Sequence, residues 1–95
     1  MTYSILVEPE DLQDLKNIFH YISEQDSKNK AADFINELRN AITSLSTMPY
    51  RCRKSFYTDD ENTRDMIYKG YTIVFNVRED KVHVLTLFRQ KTFLL

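Results

Sequence analysis

Arg64-Asp65-Met66-Ile67-Tyr68-Lys69-Gly70-Tyr71-Thr72-Ile73-Val74-Phe75-Asn76-Val77-Arg78, then Glu79-Asp80, then Lys81-Val82-His83-Val84-Leu85-Thr86-Leu87-Phe88-Arg89-Gln90-Lys91, carries the pattern most diagnostic of the architecture. Each run is rich in β-branched and aromatic residues and is parted from the next by turn residues, which predicts three short strands in antiparallel succession. Gly70 marks one tight reversal and Glu79-Asp80 the next, although neither is the favoured Asn-Gly hairpin turn. In the middle run, Tyr71, Ile73, Phe75 and Val77 fall on one face, and Thr72, Val74, Asn76 and Arg78 on the other.

Upstream the period changes from two to that of a helix. Glu8-Pro9-Glu10-Asp11 reads as a helix start: proline suits the first turn, where its missing N–H would have no partner, and the acids face the positive end of the helix dipole. Leu12, Leu15, Phe19 and Ile22 form one apolar stripe, with Asp14, Lys16 and Asn17 expected to face water. Asp26 or Ser27 is expected to cap a second helix. Its apolar residues are Ala31, Phe34, Ile35, Leu38, Ala41, Ile42 and Leu45, with Met48 the last candidate before Pro49 ends it. Ahead of both helices, Tyr3, Ile5 and Val7 alternate with Ser4 and Leu6, as in one short, mostly buried strand. Tyr50 to Thr63 is the least regular stretch, holding Arg51-Cys52-Arg53-Lys54 and then Asp59-Asp60-Glu61. Long connections of this kind are functional or mobile. The expected architecture is α+β: an N-terminal strand, an αα-hairpin and a three-stranded antiparallel meander, with the helices packed on one face of the sheet.

The chain of 95 residues is expected to form a single domain over 1–95, with 42% hydrophobic residues, six Tyr and six Phe to build its core. One cysteine, Cys52, excludes an internal disulfide and a zinc cluster and suits a reducing compartment. No apolar run approaches the roughly 20 residues that cross a bilayer, and Met1-Thr2-Tyr3-Ser4 does not resemble a signal peptide. A soluble, cytoplasmic protein without membrane contact is expected. Charge is uneven: residues 1 to 50 carry four basic and eight acidic side chains, residues 62 to 95 six basic and three acidic. The isoelectric point near 6.1 argues against strong non-specific binding to phosphates.

The order strand, helix hairpin, basic loop and meander resembles the RelE/ParE superfamily of bacterial toxins from type II toxin–antitoxin systems. The residues that carry the resemblance are the opening strand leading into a Pro-plus-acidic helix start, Met48-Pro49 followed by basic residues, Arg64 opening a strand, and the final aliphatic strand running into Arg89-Gln90-Lys91. Above all, Gly70-Tyr71-Thr72-Ile73-Val74-Phe75-Asn76-Val77 is similar to the family's Gly-Tyr-Arg-aliphatic-aliphatic-Tyr-polar-Val signature. The resemblance implies a growth-inhibiting, plasmid-stabilising toxin neutralised by a cognate antitoxin. Two branches differ in mechanism. RelE-like members are ribosome-dependent mRNA endonucleases, whereas ParE-like members act on DNA gyrase and are not known as nucleases.

Cleavage by a ribose 2′-OH needs a base, an acid for the leaving oxygen and cations for the phosphorane charge. The resemblance places these on lysines of the first meander strand, an arginine after the signature tyrosine, and an arginine and tyrosine near the C-terminus. Here Asp65 and Ile67 stand where lysines are expected, Thr72 replaces the arginine, and no tyrosine follows Arg89. The chain therefore reads as ParE-like, a binding toxin rather than an enzyme, with DNA gyrase the first target. The alternatives are a metal-independent, ribosome-dependent endoribonuclease with an altered catalytic set, its partners ribosome and mRNA, or an inactive antitoxin-binding module. Arg64, His83, Arg89 and Lys91 are the catalytic candidates for the nuclease. His83 lies between Val82 and Val84-Leu85 and reads first as a half-buried sheet residue, and His20, between Phe19 and Tyr21, as a boundary residue. Neither has the spacing of a metal site, and no cofactor is expected. Arg51, Arg53, Arg64, Arg78, Arg89 and Lys91 are the candidates for contact with target or antitoxin; Arg64, Arg78, Arg89 and Lys91 are expected to face a common surface, with Arg51, Arg53 and Lys54 in the loop nearby. Phe93-Leu94-Leu95 is expected to fold back or be covered by a partner.

Overall fold

The computed structural model describes residues 2–89, ordered as β1 (Ser4–Val7), α1 (Pro9–Gln25), α2 (Lys28–Thr43), two 3₁₀ turns (Ser44–Ser46 and Pro49–Arg51), β2 (Arg53–Lys54), β3 (Thr63–Tyr68), β4 (Tyr71–Arg78) and β5 (Lys81–Arg89). Five strands form one mixed sheet in the order β1-β5-β4-β3-β2. β2 to β5 run antiparallel, and β1 lies parallel to β5 at the edge. The α+β expectation holds, with one strand more than the sequence suggested.

The meander turns where expected. Tyr68 pairs with Tyr71 across Lys69-Gly70, whose φ values of 46° and 88° are both left-handed, and Arg78 pairs with Lys81 across Glu79-Asp80. Left-handed central residues match the twist of the flanking strands. Tyr71, Ile73, Phe75 and Val77 point inward and join Val82, Val84 and Leu87 of β5 against Ile18, Leu38, Ile42 and Leu45. β5 changes phase on the way: Phe75 pairs with Val84 and Val74 with Thr86, so Leu85 is an extra residue and stands exposed. This bulge lets Val84 and Leu87 face the same core.

Both helices are closed at their starts by side chains. The Glu8 N–H donates to Asp11 Oδ2 at 2.9 Å, and the Lys30 N–H donates to Ser27 Oγ at 3.1 Å, so Ser27 is the cap of α2. α2 ends at Thr43, before Met48 and Pro49. The chain tightens into the first 3₁₀ turn and reverses at Met48, which takes φ 55° and stands 68% exposed rather than in the core. Arg51 fixes this reversal by donating to the carbonyls of Thr47 and Met48 and to Ser44 Oγ.

Three other expectations are corrected. β1 is not mostly buried: as an edge strand with a single neighbour, it leaves Leu6 and Val7 exposed. Leu12 is 51% exposed while Ile18 is buried, so the buried stripe of α1 is rotated toward β5. Asp14 accordingly turns to the sheet, where its carboxylate accepts from the Leu87 N–H at 3.4 Å. The segment between Tyr50 and Thr63 is tied down by β2, by Ser55 N–H to Thr63 O at 2.9 Å, and by Val77 N–H to Asn62 O at 2.8 Å.

Candidate functional site

Residues paired across antiparallel strands share a face, so the register sorts the side chains. Thr63, Asp65 and Ile67 of β3, Thr72, Val74, Asn76 and Arg78 of β4, and Lys81, His83, Thr86 and Phe88 of β5 lie away from the helices. Arg53 joins them, opposite Asp65. The loop after β2 crosses this face. The Phe56 N–H donates to Asp65 Oδ2 at 3.1 Å, the Arg53 guanidinium stands 3.5 Å from the same oxygen, and the Phe56 ring lies 3.8 Å from the Arg53 guanidinium carbon. Tyr57 meets Phe88 of β5 edge-on at 5.4 Å, two strands away from β3. On β4 between them, Thr72 and Val74 are buried, at 1% and 6% exposure. Asp65 Oδ1 and Thr72 Oγ1 have no hydrogen-bond partner.

Beyond the loop the same face opens into a concavity of about 470 Å³ lined by Asn76, Arg78, Lys81, His83, Asp60 and Leu6, among others. His83 Nε2 lies 3.1 Å from Glu8 Oε1. Asn76 donates to Asp60 Oδ2 and Thr63 Oγ1 and so is fixed in orientation.

The helix side carries apolar surface. Ile5, Val7, Leu12, Leu15, Ile42, Val84 and Leu87, with Thr43 and Arg39, line a groove of about 280 Å³. Leu12, Leu15 and Arg39 are shared with a second hollow of about 340 Å³ that adds Lys16, Phe19 and Ile35. A third cleft, about 230 Å³, lies between α1 and the end of β5 and holds Asp14, Asn17, Tyr21, Tyr71 and Arg89. There Arg89 donates to Tyr21 Oη with its guanidinium 4.8 Å from the Tyr21 ring, and burial pushes the Tyr71 phenol above its ordinary value.

No curated protein matches the chain. Its sequence matches, over residues 5–92, the family described as ParE toxin of type II toxin-antitoxin system, parDE. The chain belongs to the ParE toxin family. Among solved structures, the chromosomal ParDE TA system from P. aeruginosa is similar at TM-score 0.80 and 13% identity, over 95% of this chain and 98% of that one. That likeness is one of fold, and it agrees with the two helices on a five-stranded sheet seen here.

In this ParE family member the basic residues do not gather on one surface. Arg53 and Arg78 lie on the open face, whereas Arg64 and Arg89 pair with Phe75 and Tyr71 and so lie on the helix side. Strand alternation separates them. Arg64 donates to the carbonyls of Cys52 and Glu61 and lies over Tyr50, and Arg51 is spent on the 3₁₀ reversal. The catalytic candidates are divided in the same way: His83 faces the open concavity, and Arg64 and Arg89 sit on the opposite face. Lys91 and Phe93-Leu94-Leu95 lie outside the described residues. Burial also raises the Cys52 thiol above its ordinary value, so it is a poor nucleophile. Among the described residues no three His, Cys, Asp or Glu side chains come together to hold a metal, and no helix is long and apolar enough to cross a membrane. The sequence reading missed Leu12 and Arg39 as groove residues. The signal was present in α1, where Ile18 adds a second apolar phase beside Leu12, Leu15 and Phe19.

Proposed function

We propose that this ParE family chain acts in the cytoplasm as a single-domain toxin that arrests growth by binding a macromolecular target, with DNA gyrase the first candidate. An antitoxin segment lying along the groove between sheet and helices neutralises it. The observation that carries the binding reading is the state of the open face. The positions that would need cations for RNA cleavage hold Asp65, Ile67 and Thr72, and Asp65 and Thr72 are almost fully buried, with the Phe56–Tyr57 loop fastened to Asp65. A buried carboxylate repels a phosphorane, and a buried hydroxyl does not reach one. For the antitoxin, the exposed apolar groove through Val7, Leu12 and Leu15 is what an amphipathic helix covers, with Arg39 on its rim for an acidic side chain. Supercoiling by purified gyrase tests the target: the chain should inhibit it, and added antitoxin should relieve the inhibition. Full supercoiling activity at saturating toxin would rule gyrase out.

One observation favours the endonuclease reading: His83, which lines a concavity with Arg78 and Lys81, also stands 3.1 Å from Glu8. If that site cleaves, His83→Ala abolishes mRNA cutting at ribosomes while leaving antitoxin binding intact. The binding reading expects no cutting to abolish.

A further inference from the structure

β5 is longer than the strand on its outer side. β1 pairs only with Lys81 to Val84, and among the described residues no strand covers the stretch from Leu85 to Arg89 on that side. The bulge at Leu85 falls where the pairing with β1 stops, a common way to end a ladder. In an antiparallel ladder, alternate residues point both N–H and C=O outward. The Leu87 N–H reaches Asp14 on α1, so Leu87 and, two residues on, Arg89 are the outward-bonding residues. Asp14 accepts there at 3.4 Å, a long and weak contact for a strand donor, and it shields the edge without matching the pairing a strand would give.

Arg89 adds charge at the same place. Its guanidinium is held against Tyr21, and among the described residues it forms no ion pair with a carboxylate. A cation oriented in advance by a ring and a hydroxyl is prepared for a bidentate carboxylate.

We propose that the Leu87–Arg89 edge receives an extended segment of the antitoxin as an added strand, with one of its acidic side chains on Arg89. This rests on the antitoxin reading above and adds to it a place, a backbone pairing and a charge. Two observations select this occupant. Leu87 lines both this cleft and the apolar groove, so a segment leaving the groove reaches the edge without a gap. Arg89, which has no carboxylate partner among the described residues, offers an acidic side chain a place at the end of the edge. Strand addition supplies affinity through main-chain bonds and selectivity through alternate side chains.

Amide hydrogen exchange on the free chain and on its complex with the antitoxin encoded by the adjoining reading frame reads the edge directly. In the complex the Leu87 and Arg89 amides should slow by about tenfold or more. Arg89→Glu should weaken binding by about tenfold while the free chain still melts cooperatively as a folded protein, and Arg89→Lys should retain most of the affinity. A complex that forms with both amides exchanging as in the free chain overturns the strand addition and leaves the antitoxin reading standing. Failure to form any complex removes that reading and the proposal with it. Protection that rises in the free chain with its own concentration assigns the edge to a second copy and also overturns the proposal.

Discussion

With its side chain wholly out of water, Asp65 accepts from the Phe56 N–H and faces Arg53, while its other oxygen has no partner. Removing it takes the acceptor from the Phe56 N–H beneath the loop and the counter-ion from the partly exposed Arg53. Asp65→Ala should therefore cost about 1–3 kcal/mol in urea unfolding, and an unchanged midpoint would mean that Asp65 does not hold the loop. Asp11 makes a prediction of a different kind. Burial is the largest influence on its carboxyl and raises it above 3.8, against the lowering effect of the Glu8 N–H, with Asp14 and Glu10 adding to the rise and His83 opposing it. The folded chain thus holds this proton more tightly than the unfolded one. Its contribution to stability is present below 3.8 and is lost as pH rises through the raised value. Asp11→Asn keeps an oxygen for the Glu8 N–H and removes the charge, so its stability relative to the native chain should improve from acid to neutral pH. A difference that is flat or falls with pH would contradict the sign. Which way Asp65 and Thr72 face was legible in the sequence, because alternation sets it. Their burial was not, because it depends on a loop without periodicity.

At the scale of elements, α1 separates what holds the fold from what is left for a partner. Leu38 of α2 faces the core with no exposure, and Leu38→Ala should cost about 2–5 kcal/mol by chemical unfolding. Leu12 stands half in water on the rim of the groove, so Leu12→Ser should cost only about 1 kcal/mol of stability, less than Leu38→Ala, and still weaken antitoxin binding. Equal antitoxin affinity for Leu12→Ser and the native chain would remove the groove as its seat. The bulge in β5 gives a sharper structural test. Deleting Leu85 restores strict pairing, keeps Val84 and Leu87 inward and removes an exposed side chain, so the deletion variant should fold. Deleting Val74 from unbulged β4 turns part of that strand over, and this variant should not fold. Circular dichroism melts distinguish the two, and an unfolded Leu85 deletion would show that the bulge itself holds the sheet together. The helices, the hairpins and their order were readable from periodicity. The edge position of β1, the two-residue β2 and the bulge were not, since each is decided by neighbours far along the chain.

For the whole molecule, an acidic helix pair and a basic meander suggested one basic surface, and the fold distributes it over two. Alternation sends Arg53 and Arg78 to one face and Arg64 and Arg89 to the other, and local contacts then occupy Arg51 and Arg64. The family was legible because its signature is structural: Gly70 takes φ 88° at the turn, while Tyr71 and Phe75 fill the core. The sequence argument against RNA cleavage rests on Asp65, Ile67 and Thr72 standing where the resemblance expects cations. Inhibition by binding, without RNA cleavage, is the mechanism proposed for this ParE family chain. Induced expression in a bacterial host, followed by mRNA integrity at ribosomes and by cell length, tests it most directly. Filamentous cells with an SOS response and intact mRNA are expected; rapid ribosome-dependent mRNA cleavage, lost in His83→Ala, would overturn inhibition by binding.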